Sequence, residues 1–223
     1  MNLRSFPEKT HITFHKTADF EGFFELKPLA LGYGKTIGKA LMRILLSAEG
    51  YAISAVKIAG VKDKSCSILG VEEKVSEIIR LLGKIRLALV IDEEYVVEEK
   101  ISISITGKEQ FCAGDIEDFS NLFKVSNPDL VICKMASSVS LEMEFTITKG
   151  KDFVPAIRND SEEGVSDVIS IDADYSPIKN LCFSIRRMQE MHSDFESLTV
   201  ELSTDGTTSV SYTHLTLPTI LLV

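Results

Sequence analysis

Hydrophobic and polar positions follow two different periods along this chain. The helical period is clearest at Ile37, Ala40, Leu41, Ile44, Leu45 and Ala48, spaced i, i+3, i+4, i+7, i+8 and i+11, which puts them on one stripe of an α-helix. Met42 and Leu46 widen that stripe, and only Lys39, Arg43 and Ser47 form a polar line. The surface helix of a monomer carries a broader polar face, so this helix is expected to be covered on two sides, by its own domain and by a partner. Gly32, Gly34 and Gly38 are read as the structural turn that leads into it, because glycine accepts the positive φ other residues resist. Thr36 stands where an N-cap is wanted. A second helical stripe runs through Val71, Val75, Ile78, Ile79 and Leu82, with Gly83 at the expected C-cap.

Elsewhere the period is two. Ile12 and Phe14 alternate with Thr13 and His15, and Phe23 to Leu26 runs up to Pro28. Ile101, Ile103 and Ile105 alternate with serine and threonine, as do Val139, Leu141, Met143, Phe145 and Ile147 with Ser140, Glu142, Glu144, Thr146 and Thr148. Strands of this kind have one buried and one wet face and belong to antiparallel sheets. Tyr51 to Ile58, Lys84 to Ile91, Leu130 to Cys133, Val168 to Ile171, Leu181 to Ile185 and Leu198 to Leu202 are further strand candidates. The acidic clusters Asp92-Glu93-Glu94 and Glu98-Glu99 are read as solvated turns or edges, and Arg158 to Gly164 as a loop. The fold class expected is α+β.

Composition narrows the function. The 223 residues are 44% hydrophobic and 26% charged, an ordinary globular balance with ample length for a core. A formal net charge of −9 with pI near 5.0 argues against direct DNA contact by this segment. Cys66, Cys112, Cys133 and Cys182 lie far apart without C-x-x-C pairing, so neither a zinc site nor a disulfide framework is indicated. Cys133 and Cys182 fall in apolar runs and are read as core residues. Met1 to Glu8 lacks the apolar core of a signal peptide, and no run reaches membrane-spanning length. A cytoplasmic protein with no membrane association is expected.

Catalytic chemistry finds little footing. Glu142 and Glu144 share one strand face, as paired carboxylates would, but their alternation with apolar residues reads as a solvated face. Asp172 and Asp174 are similar. His11, His15, His192 and His214 have no acidic or cysteine neighbour at ligand or triad spacing, so no catalytic residue, metal site or cofactor is expected. Gly34-Lys35-Thr36 matches the end of the phosphate-loop motif G-x-x-x-x-G-K-[ST]. This keeps a nucleotide-binding enzyme using Lys35 and Thr36 as an alternative. Against it, the motif's first glycine falls on Leu29, and Pro28 interrupts the strand that should lead in.

The stretch GYGKTIGKALMRILLS, residues 32–47, resembles the first long helix of the amino-terminal domain of bacterial RNA polymerase alpha subunits. In that family it reads G-[FY]-G-x-T-[LI]-G-x-A-L-R-R-[IV]-L-L-S. Gly70-Val71-Glu72-Glu73, Val125 to Cys133, Phe153-Val154-Pro155-Ala156, Asp174 to Ile178 and Thr204-Asp205-Gly206-Thr207 match further blocks in the same order. The resemblance covers about residues 10–208. It implies a dimerisation subdomain built from both chain ends, 1–50 and 167–208, with 51–166 as an inserted, mostly antiparallel β-rich subdomain. It implies homodimerisation, here through Ile37, Leu41, Ile44 and Leu45. It also implies assembly with the beta and beta-prime subunits through Lys39, Arg43, Leu46, Phe153, Pro155, Tyr175, Ser176 and Pro177. Such a chain is a non-catalytic subunit of a nucleotidyltransferase; a diverged dimeric scaffold outside the polymerase is the remaining reading.

The chain departs from the family in places. Met42 replaces the first of two paired arginines, and Asp152 replaces a glycine of the loop G-R-G-[YF]-x-P-A. Arg186 to Met191 stands where the family places a glutamate and an R-V-x-Q run. After Thr208 the family continues into P-x-x-A and a long dimer-spanning helix, then a linker and a DNA-binding domain. Residues 209–223 read instead as a non-family tail, with Val210 to Thr219 resembling a translated sequencing adaptor and Leu215 to Val223 an apolar end.

Overall fold

The computed structural model describes residues 10–61, 63–90, 96–159, 167–188 and 195–208. Expectations for Asp92 to Glu94, residues 160–164 of the polar loop, His192, His214 and the tail 209–223 lie outside those residues. In chain order the elements are β1 (His11–Ala18), β2 (Glu21–Ala30), α1 (Tyr33–Leu46), β3 (Glu49–Ile58), α2 (Val75–Leu82), β4 (Leu87–Leu89) and β5 (Glu98–Thr106). There follow β6 (Gln110–Cys112), a 3-10 turn (Ala113–Phe119), β7 (Phe123–Val125), β8 (Val131–Lys134), β9 (Ser140–Lys151) and β10 (Phe153–Val154). The remainder is α3 (Ala156–Asn159), β11 (Val168–Ser170), β12 (Ala173–Asp174), β13 (Ile178–Arg187) and β14 (Phe195–Thr204).

The chain divides into two units, one made of Met1–Ala48 with Pro177–Val223, the other of Glu49–Ser176. Both chain ends thus build one unit around an insertion. The insertion reaches further than the resemblance implied: residues 167–176 belong to it, because β11 pairs antiparallel with β3, Ile169 opposite Val56. Hydrogen-bond partners outside the local sequence decide such a boundary.

The chain-end unit is a four-stranded antiparallel sheet in the order β1-β2-β14-β13. Its core holds Phe24, Leu26, Leu29, Leu41, Leu45, Ile178, Leu198, Val200 and Leu202. The alternation in β2 breaks at Pro28, which has no N–H to give the ladder. There the pairing with β14 shifts, from Leu26 opposite Leu198 to Leu29 opposite Glu196. The extra residue changes the parity, so Leu29 faces the core as Leu26 does, and β2 runs on through Pro28 to Ala30. Cys182, expected in the core, is exposed on β13, because that edge strand presents one face to water.

The inserted unit is built on a sheet ordered β5-β9-β3-β4-β7, with β11 beside β3. Ile101, Ile103 and Ile105 on β5 and Leu141, Met143, Phe145 and Ile147 on β9 are buried, as their alternation requires. α2 lays Val75, Ile78, Ile79 and Leu82 into the same core and ends at Gly83. Val71 precedes this helix and bridges Met135 instead. Gly83 is not left-handed, with φ −65; a Cβ there would stand 2.9 Å from the Asp172 carbonyl oxygen. Cys133 is fully buried on β8.

Candidate functional site

α1 rests on its sheet through Leu41 and Leu45, 1% and 5% exposed, which join the core of their own unit. The resemblance implied dimerisation through both; within the chain the sheet takes this centre of the apolar stripe. What remains for a partner is its margins. Ile44 and Leu46 are each 42% exposed, Tyr33 is exposed as well, and Ile37 is half-buried. At about 100° per residue, Tyr33, Ile37, Ala40 and Ile44 lie along one flank of the helix. Met42 and Leu46 lie along the other, next to Lys39. Arg43 stands exposed on the crest between them.

The start of α1 differs from the expectation. The helix opens at Tyr33, with Gly32 as N-cap at φ 92 and no side-chain cap, so Thr36 lies within the first turn rather than before it. The free amides of a first turn need an acceptor, and it comes from β14. Glu196 Oε1 accepts from the Gly34 N–H at 2.6 Å and the Gly32 N–H at 3.0 Å. The carboxylate is buried, the residue being 6% exposed. Of the three glycines, only Gly32 serves the turn. Gly34 and Gly38 sit inside the helix, where a Cβ would meet Glu196 Oε1 at 2.9 Å and the Phe183 ring at 2.7 Å. They let the helix lie close on the sheet.

A second assembly forms in the inserted unit, from the loop after β9 and the turn after β12. β10 pairs with β12, Phe153 opposite Asp174 and Val154 opposite Ala173, which brings two stretches distant in sequence side by side. The Tyr175 N–H donates to the Asp152 carbonyl at 3.0 Å, and the Tyr175 hydroxyl meets Thr148 Oγ1 at 2.6 Å. The Tyr175 ring is buried against Gly150, where a Cβ would come within 2.8 Å of it, and the Tyr175 carbonyl oxygen closes over Gly50. Tyr175 is therefore the support of this turn, and its ring offers no outward surface.

Phe153, by contrast, is 58% exposed, and Pro155 and Ser176 are half-buried. Pro177, the first residue of the chain-end unit's second segment, is buried, and its carbonyl accepts from the Asp205 N–H at 3.0 Å. Sequence reasoning missed Arg86. Its Nη1 donates to the Asp174 carbonyl at 2.8 Å and its Nη2 to Asp174 Oδ2 at 2.6 Å, a forked grip that fixes β12. Nothing local to Arg86 distinguishes it from a surface cation. At the end of β9, Lys149 and Lys151 flank Glu49 and hold its carboxyl below the usual carboxylate range.

The nucleotide alternative fails on geometry. Lys35 and Thr36 are exposed on a helical turn whose amides at Gly32 and Gly34 already bind a carboxylate, so an anion is met by like charge where a phosphate would have to sit. Asp172 and Asp174 are engaged structurally, Asp172 Oδ1 accepting from the Ala156 N–H at 2.7 Å. Glu142 is exposed opposite Ser104, and Glu144 stands opposite Ser102. Among the described residues no three His, Cys, Asp or Glu side chains are placed to hold a metal ion, and no helix is long and apolar enough to cross a membrane.

The sequence pattern of the RNA polymerase Rpb3/RpoA insert domain matches residues 56–176, nearly the whole inserted unit. The chain is 42% identical over 208 residues to the DNA-directed RNA polymerase subunit alpha of Cytophaga hutchinsonii, covering 92% of this chain and 62% of that one. The subunit of the same name from Flavobacterium psychrophilum is 41% identical over the same shares. That of Salinibacter ruber is 34% identical over 90% of this chain and 60% of its own. The chain thus spans about three fifths of the length of these curated relatives.

Proposed function

This chain belongs to the family of bacterial RNA polymerase alpha subunits, and from that premise we propose that it is an assembly subunit of the bacterial enzyme. It homodimerises and presents α1 so that beta, then beta-prime, can join. It needs no active site or cofactor of its own for this, and makes no direct DNA contact through this segment. The observation that carries the reading is the helix with apolar margins on both sides of its buried centre. Tyr33, Ile37, Ala40 and Ile44 form the flank suited to a second copy of the chain, with Leu41 and Leu45 supporting it from below. Lys39, Arg43 and Leu46 form the edge suited to beta, where an arginine set among apolar groups is a frequent centre of binding energy. Phe153, Pro155 and Ser176, on the turn that Tyr175 props and Pro177 follows, are contacts for the large subunits. A dimeric scaffold outside the polymerase would show the same apolar flank but ignore beta.

Co-expression of the full chain with the source organism's beta subunit, followed by size exclusion with light scattering, tests this. A complex of two alpha chains and one beta is expected, with Arg43→Ala weakening beta capture about tenfold or more. A chain that dimerises yet ignores beta would favour the scaffold reading; a monomer that ignores beta would overturn the proposal.

A further inference from the structure

We propose that Glu196 is the positioning residue of the interface helix: carried on β14, its carboxylate fixes where α1 begins and how its two flanks are turned outward. The inference rests on the assembly reading above for its consequence, though not for its geometry. The first turn of α1 contains no acidic residue, its N-cap is a left-handed glycine, and no side chain of the helix's own start caps it. Unsatisfied amides and the positive end of the helix dipole both call for an anion. Glu196 supplies it from more than 160 residues away, one oxygen accepting from the amides of Gly32 and Gly34.

The anchoring strand is itself held at this corner. Phe195 and Glu196 pair with Ala30 and Leu29, the last residues of β2 before the turn into α1. One residue therefore ties the end of the incoming strand, through its backbone, to the start of the outgoing helix, through its side chain. The fit is close: a Cβ on Gly34 would stand 2.9 Å from the same oxygen. Tyr33 and Ile37 lie within this anchored end, so the flank proposed for a second copy depends on it directly. Arg43 and Leu46 follow as parts of the same rigid helix.

The test uses the full chain with Glu196→Ala and Glu196→Gln, since glutamine keeps an oxygen that can accept both bonds. Amide hydrogen exchange is followed at residues 32–37 and across the β2–β14 ladder, and the dissociation constant for beta is measured on the folded fraction. Glu196→Ala is expected to speed exchange at 32–37 about tenfold or more while the ladder stays protected. It should also weaken beta binding about tenfold, with Glu196→Gln restoring both to within a few-fold of the parent chain. Unchanged exchange at 32–37 in Glu196→Ala would overturn the proposal. So would equal loss of protection in helix and ladder with an unaltered dissociation constant, which marks a role in stability alone. If the parent chain does not bind beta at all, the assembly reading falls, and the exchange data still decide whether Glu196 sets the helix.

Discussion

Asp152 holds φ at 57, in the left-handed region that disfavours side chains. It is the lone residue between β9 and β10, and its carbonyl receives the Tyr175 N–H, so the chain has no freedom to relax it. Aspartate tolerates this region better than most residues, and glycine better still. Asp152→Gly is therefore expected to raise stability by about 0.5–1 kcal/mol, read as a higher urea midpoint with unchanged slope; a lower midpoint would refute the strain argument. Cys133 shows the opposite constraint. Burial, with a smaller contribution from Glu73, pushes its thiol up from 9.0 to about 12. A raised folded-state value means the unfolded chain ionises first, so this stability is complete below pH 9 and is lost as pH rises toward 12. The unfolding free energy from urea titrations should fall by about 1 kcal/mol between pH 9 and 10 from this group, with the slope approaching about 1.4 kcal/mol per pH unit above pH 10. Cys133→Ala should flatten that part of the profile, and parallel profiles would discard the assignment.

At the scale of the element, α1 separates two roles that share one stripe in the sequence. Leu41 is fully enclosed by the sheet core while Ile44, one turn-fraction away, faces outward. Leu41→Ala is expected to cost about 2–5 kcal/mol of stability through the cavity it leaves. Ile44→Lys is expected to change monomer stability by no more than about 0.5 kcal/mol yet abolish self-association, because an ammonium would be buried in an apolar contact. Sedimentation and denaturation on both variants check this; an Ile44→Lys chain that still dimerises would remove that flank from the interface. The same element shows where pattern reading stops. Thr36 satisfied the cap rule by composition, but the helix had already begun, and its cap came from another strand. β5 and β9, alternating without interruption, were legible residue by residue.

At the scale of the whole molecule, periodicity alone determined a great deal: an α+β chain, antiparallel strands, and a long helix whose apolar stripe is wider than a surface helix usually carries. These follow from local spacing, because a side chain's direction repeats every two residues in a strand and every 3.6 in a helix. Resemblance to a known family added the expectation of an interrupted chain-end unit and of the partners proposed above. Only the tertiary structure decided which apolar residues of α1 face inward, that Gly34 and Gly38 yield to Glu196 and Phe183, and that Arg86 grips Asp174 across the inserted unit. It also moved 167–176 into the insertion and left Cys182 in water. Each of those depends on contacts between residues tens to hundreds of positions apart, and such contacts leave no period in the sequence.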